Sequence, residues 1–221
     1  MARLVAPTIA ALAALLAGSA CGGNSACEEF PLSVGFEPLE EVQGTPGLTW
    51  PDPGGPDAIN VVFGPTFGHS WAHGLGYVHQ PLARVYQALK DPAASRIISP
   101  GNHWTVTNDN PEPQFPISFA IHYTVYDAIT VEWDILYRGG VAAGTEAAPS
   151  EIGLRYQRTC GSRHITVESG SLRAYPSETD PQATRLEMVG WLAADRQDPP
   201  VVGGTLNDWF ANLTAKLATL P

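Results

Sequence analysis

Charge is scarce in this chain, and positive charge is scarcest. Charged side chains make up 15% of the residues, and 12 Lys and Arg stand against 22 Asp and Glu, for a net charge of −10. The cations are scattered, with no Lys/Arg patch to neutralise phosphates, so nucleic acid is excluded as a partner, as is a polybasic hold on anionic head groups. Cysteine is nearly absent: Cys21, Cys27 and Cys160 are the whole supply. Long apolar runs are absent after Leu16, so no later segment is long enough to span a bilayer. Catalytic signatures are missing as well. There is no G-x-S-x-G, no G-x-G-x-x-G and no phosphate-binding loop, so the motifs assign no catalytic residue and no cofactor. No segment repeats. What the chain does have is 44% hydrophobic residues together with 22 Gly and 20 Pro, the composition of a folded, loop-rich protein rather than a disordered one.

Residues 1–20 read as an export signal. Arg3 is the only charged side chain before Glu28, Leu4 to Leu16 is apolar, and Ala17, Gly18, Ser19 and Ala20 are small. That order is the one secretory leaders use. Ser19-Ala20-Cys21, preceded by Leu15-Leu16-Ala17, resembles the cleavage site of bacterial lipoproteins, although Gly18 stands where that family usually carries an aliphatic residue. The resemblance implies that Cys21 becomes the mature N-terminus and carries a diacylglyceryl thioether, usually with an acylated amine. Two or three acyl chains anchor a protein stably where one does not. Gly22 to Ala26 is then a short tether within residues 21–27. By the same resemblance, Gly22 in place of an acidic residue directs the protein to the outer membrane of a Gram-negative bacterium. Gly18 and Ala20 also satisfy the small-x-small rule of ordinary signal peptidase, which leaves a plain secreted protein with a free Cys21 as the alternative.

Residues 28–68 form a Pro/Gly-rich extension with no sustained period, apart from a short strand at Ile59 to Phe63. From His69 the patterns sharpen. "SWAHGLGYVH" places Trp71, His73, Leu75, Tyr77 and His79 on one face of a strand. "PLARVYQALKDP" places Leu82, Val85, Tyr86 and Leu89 at helical spacing, with Pro81 at the first helical position and Pro92 as the stop. "ISFAIHYTV" and "ITVEWDILY" alternate with period two and are joined by Tyr126-Asp127-Ala128, a hairpin. Residues 152–160, 164–175 and 185–192 read as further strands, with Gly170 marking a bulge because the apolar parity shifts across it. Residues 103–108 add a short one. "TLNDWFANLTAKLATL" is a closing helix, with Thr205 and Asp208 at capping-box spacing and Leu206, Trp209, Phe210, Leu213, Leu217 and Leu220 as its apolar stripe.

These elements define an α+β fold, an antiparallel sheet of about six to seven strands with a long C-terminal helix on its apolar face. The order resembles the helix-grip fold of the START and polyketide-cyclase-like superfamily, which implies that the sheet is curved and grips that helix. "GYVHQPLARVYQALKDP" is similar to that family's first strand and helix, and "GTLNDWFANLTAKL" to its last helix, so residues 69–221 are expected to be the domain. The resemblance implies a cavity between sheet and helix that binds a hydrophobic small molecule or lipid. Its expected walls are Phe119, Tyr123, Trp133, Tyr137 and Tyr156 from the sheet, and Trp209, Phe210, Leu213 and Leu217 from the helix. A cyclase- or dehydratase-like enzyme using the same cavity, or a structural lipoprotein with no ligand, are the alternatives.

The histidines offer little chemistry. His69 and His73 have i, i+4 spacing, but on a glycine-rich strand rather than a helix, and no cysteine pair or carboxylate–histidine motif joins them, so no metal site is assigned. His122 shares parity with Glu132 and Asp134 on the polar face of the hairpin. If Cys21 is acylated, Cys27 and Cys160 remain as a pair, and export favours their oxidation to a disulfide.

Overall fold

The structure, a computed structural model, describes residues 35–37, 45–98, 102–126, 130–195 and 199–221. The expected leader, Cys21, the tether and Cys27 lie outside the described residues.

Eight antiparallel strands form one sheet in the order β1-β2-β8-β7-β6-β5-β4-β3. They are β1 (Ala58–Thr66), β2 (His69–Val78), β3 (His103–Asn108), β4 (Ile117–Tyr126), β5 (Thr130–Thr145), β6 (Ala148–Gly161), β7 (Ile165–Pro176) and β8 (Thr184–Ala194). Eight exceeds the six to seven expected. Both edges, β1 and β3, are weakly patterned in sequence. An edge strand pairs on one side only and is largely solvated, so its alternation is soft. β1 is also longer than Ile59 to Phe63, and it pairs with β2 along its whole length. β5 and β6 run well past their expected ends to meet at Thr145 and Ala148, where Gly144 takes a positive φ of 89°.

Helix α1 (Leu82–Leu89) buries Leu82, Val85, Tyr86 and Leu89, the spacing read from sequence. Pro81 sits one position earlier than expected, as the N-cap, and its carbonyl accepts from the amides of Arg84 and Val85. Pro92 both stops α1 and opens α2 (Pro92–Ser95), capped by the Asp91 carboxylate, which accepts from the Ala93 amide.

Helix α3 (Pro199–Thr219) starts six residues before the expected cap. Thr205 therefore caps nothing, and its hydroxyl donates back to the Val201 carbonyl. Proline is tolerated in a first turn, where its missing N–H has no intrahelical partner. Gly203 is helical for a packing reason: a Cβ there would lie 2.4 Å from the Phe63 ring.

One cross-strand row shows how the sheet grips this helix. Phe119, Tyr137, Tyr156, Gly170, Gly190, Ala72 and Phe63 are successive register partners from β4 through to β1. The small residues lie under α3: Leu206 and Val202 approach the Cβ position of Gly190 to 3.3 Å. The large aromatic rings rise beyond it. Gly170 is not a bulge, since it pairs in register on both sides. It is small because the Tyr156 ring lies over it, with Cε1 2.2 Å from where a Cβ would be. The register shift of β7 falls between Ile165 and Val167 instead.

The described parts of the extension lie on the opposite, outer face. Phe36 meets Phe115 edge to face, and Trp50 packs on Tyr77 and Tyr175 with Arg185 over its ring. The Thr45 hydroxyl hydrogen-bonds His73 Nδ1 at 3.0 Å.

Candidate functional site

The inner face of the sheet and α3 enclose a core in which aromatic rings touch in sequence. Phe119 stacks on Tyr137, with ring centroids 4.8 Å apart. Tyr137 meets Tyr156 at 5.8 Å, and Tyr156 meets the Trp209 indole edge-on at 5.4 Å. Tyr123 joins through Trp133 at 5.4 Å and through a hydroxyl–hydroxyl hydrogen bond of 2.7 Å to Tyr137. All nine residues expected to line a cavity are buried. Six of them, Phe119, Tyr123, Trp133, Tyr137, Tyr156 and Trp209, form this one connected group. Phe210 lies apart from it, against Gly76 on β2, and the backbone of Leu217 accepts from Arg84 beside α1. These two belong to the seating of the helix.

Within this apolar setting, polar groups converge that sequence reading did not select. Glu168 on β7 is buried on the inner face. Loss of solvent pushes its carboxyl up to about 8, against the opposing pull of the Arg158 charge and the Trp133 indole. Near neutrality it is therefore largely a neutral acid, a hydrogen-bond donor as well as an acceptor. Arg158, also buried, is directed along the same end of the sheet and donates to the carbonyls of Gly161 and Ser162. Tyr137 and Tyr156 are raised well above the ordinary phenol range, first by burial, so both keep their protons. Among the described residues, the buried polar atoms of this core with no hydrogen-bond partner include Tyr156 Oη, Trp209 Nε1, Ser70 Oγ and Glu168 Oε2. Each orphaned polar atom in a dry core costs on the order of 1–3 kcal/mol, so a group of them calls for a partner.

The histidines do not converge. His69 stacks against Trp191, His73 bonds Thr45 and Glu187, and His79 bonds Asp57 and the Pro53 carbonyl. Among the described residues, no three His, Cys, Asp or Glu side chains come together as a metal site. His122 Nδ1 lies 2.8 Å from Asp134 Oδ1, at a partly exposed position on the outer face, away from the aromatic core. Cys160 is buried opposite Asp134 in the β5–β6 register, and its expected partner lies outside the described residues.

One eight-stranded antiparallel sheet with a long C-terminal helix on its inner face, around an apolar core that holds a connected group of aromatic rings, is a START-like, helix-grip fold. Among solved structures, the chain is similar to the lipid transfer and protein localization domain of human StarD13. The TM-score is 0.52 at 10% identity, covering 74% of this chain and 86% of that one. It is also similar to the Zhui aromatase/cyclase of a Streptomyces species, with a TM-score of 0.43 at 14% identity over 73% of this chain and 93% of that one. A START superfamily protein of Mycobacterium smegmatis gives 0.45 at 14% identity over 68% and 94%. No family model and no curated protein matches the sequence. At these identities the likeness is one of fold.

Proposed function

We propose that this chain is an exported lipoprotein, held to the cell envelope through Cys21, whose START-like domain binds a hydrophobic small molecule or lipid between its sheet and α3. One observation carries the binding reading. The interior is aromatic and apolar, yet it holds Tyr156 Oη, Trp209 Nε1 and Glu168 Oε2 without partners. An apolar lining with a few oriented polar groups is the composition of small-molecule sites. A ligand with an apolar body and one hydroxyl or carbonyl group satisfies both features.

Native mass spectrometry of the purified chain, followed by organic extraction, tests this. The protein should carry or take up a hydrophobic compound. A chain that stays empty against a panel of lipids, sterols and aromatic polyketides sinks the reading.

Glu168 supports a second reading, in which the domain is a cyclase- or dehydratase-like enzyme. A carboxyl held largely protonated near pH 7 can act as a general acid in a dry site. Under that reading Glu168→Gln binds ligand as the parent does but leaves it unconverted. Under the carrier reading the recovered ligand is chemically the same from both proteins.

The anchor and the Cys27–Cys160 disulfide belong to the same proposal. Acylation of Cys21 accounts for one of the three cysteines, and oxidation of the other two suits an exported chain.

A further inference from the structure

The apolar side chains most exposed to solvent gather at one end of the domain. Phe67, at the tip of the β1–β2 hairpin, is fully exposed at 102%, beside Gly68 with its φ of +88°. Phe63 is 45% exposed and its ring abuts Gly203, which joins the hairpin to the first turns of α3. Val201, in those turns, is 52% exposed. Strand directions bring Tyr126, 72% exposed at the end of β4, to the same end of the sheet. We infer that this end docks into the membrane that holds the anchor, with Phe67 as the inserting side chain. The inference rests on the lipoprotein reading above.

Charge supports a lipid occupant. Residues 58–83 contain no Asp, Glu, Lys or Arg, and neither do residues 199–207, in a chain of net charge −10. A buried charge in hydrocarbon costs at least about 2.5 kcal/mol, so an uncharged tip is what insertion requires. The neighbouring β6–β7 turn carries Arg163 and His164, and His164 Nδ1 lies against the carboxylate of Asp195, just after β8; these are groups suited to head-group depth. A tyrosine such as Tyr126 suits the same layer.

Chain length supports the orientation. Cys27 lies six positions after Cys21, a reach of about 20 Å when extended. A Cys27–Cys160 bond would fix the inner end of that tether at the end of β6. β6 ends where β1 ends and β2 begins, so the acyl chains would be drawn to the hairpin end and not to the far one. Ser70 and Glu168 lie near this end too, on β2 and β7 with Leu192 between them in register. Docking would bring a hydrophobic ligand from the bilayer close to the interior polar groups.

The test uses the mature chain reconstituted into phosphatidylcholine vesicles. Phe67→Trp adds a reporter at an exposed tip, and a Tm equal to the parent's shows that the fold is kept. The emission it adds should be at least twofold weaker when the acyl chains are brominated. Added emission that bromine leaves unchanged overturns docking. In a Cys21→Ser chain, Phe67→Asp should lower partition onto the same vesicles at least threefold. Equal partition, or a Cys21→Ser parent that does not partition, overturns docking as well. So does a concentration-dependent dimer that Phe67→Asp abolishes, which would give the patch to a second copy. The mass at Cys21 is read separately. An unacylated N-terminus sinks the lipoprotein reading, and quenching of the free Phe67→Trp chain mixed with vesicles then decides docking by itself.

Discussion

At the scale of single residues, Glu168 is where the chain departs most from what its core composition favours. The sequence signal was present but misdirected. Leu172 and Ala174 point inward, so strict alternation from them points Glu168 inward too. A bulge at Gly170 would have turned it out to solvent. The actual shift lies between Ile165 and Val167, which spares Glu168 and sends the two aliphatic residues into the irregular part of the strand. Its titration has a definite sign. An unfolded Glu loses its proton near pH 4.3, whereas burial holds the folded one to about 8. Between those values the folded state binds more protons than the unfolded state, so this group makes stability fall as pH rises and adds no further loss above its folded pKa. Glu168→Gln removes the effect. Tm measured from pH 5 to pH 9 should show the variant gaining several degrees on the parent as pH rises. Parallel curves would refute the assignment of a buried neutral acid.

Elements were legible in proportion to how evenly they are buried. β4 and the first half of β5 alternate cleanly, because one face meets the core and the other is polar, and they form the register the pattern implies. The edge strands and the start of α3 were harder to read. Pro199, Pro200, Gly203 and Gly204 look like loop chemistry, and only the Phe63 ring across the interface explains a helix without a side chain at position 203. The same logic governs Gly170, whose smallness is a property of the row it shares with Tyr156 and cannot be seen along its own strand. Gly170→Ala should cost about 1–3 kcal/mol by overpacking, measured by urea denaturation. Because the clash is with one ring, adding Tyr156→Ala should bring a further loss well short of additive. Additive losses would mean that the two do not share that space. At the other side of α3, the Asn212 amide donates to the carbonyls of Arg96 and Ile98 from a buried position, tying the helix to the segment after α2. Asn212→Ala leaves both carbonyls unsatisfied from that side and should cost about 1–3 kcal/mol. A loss below the error of the same denaturation experiment would show that water replaces the amide.

For the whole molecule, the aromatic walls of the candidate site were readable because large rings on alternating strands have few places to go. The polar partners were not, since which buried acid meets which tyrosine is set by register across strands far apart in sequence. The extension illustrates a further limit. Its described residues hold the outer face through Phe36, Thr45 and Trp50, contacts that no local period announces. The proposed bond from Cys27 to Cys160 would add a covalent tie to this strap, across 133 residues of chain. Closing so long a loop stabilises by about 5 kcal/mol in the chain-entropy model, through a more restricted unfolded state. The mature protein, denatured without reductant and treated with an alkylating agent, should therefore take up no label at Cys27 or Cys160, and one label at each after reduction. Cys27→Ser should leave Cys160 reactive once unfolded and lower the midpoint of denaturation, while Cys21→Ser should leave that midpoint unchanged and lower the share of protein on the membrane to the weaker partition that the hairpin end supports by itself. Label on Cys160 in the unreduced parent would sink the bridge and, with it, the shortest argument that the hairpin end faces the membrane. Membrane release by Cys27→Ser in place of Cys21→Ser would reverse the two roles, giving the anchor to the later cysteine.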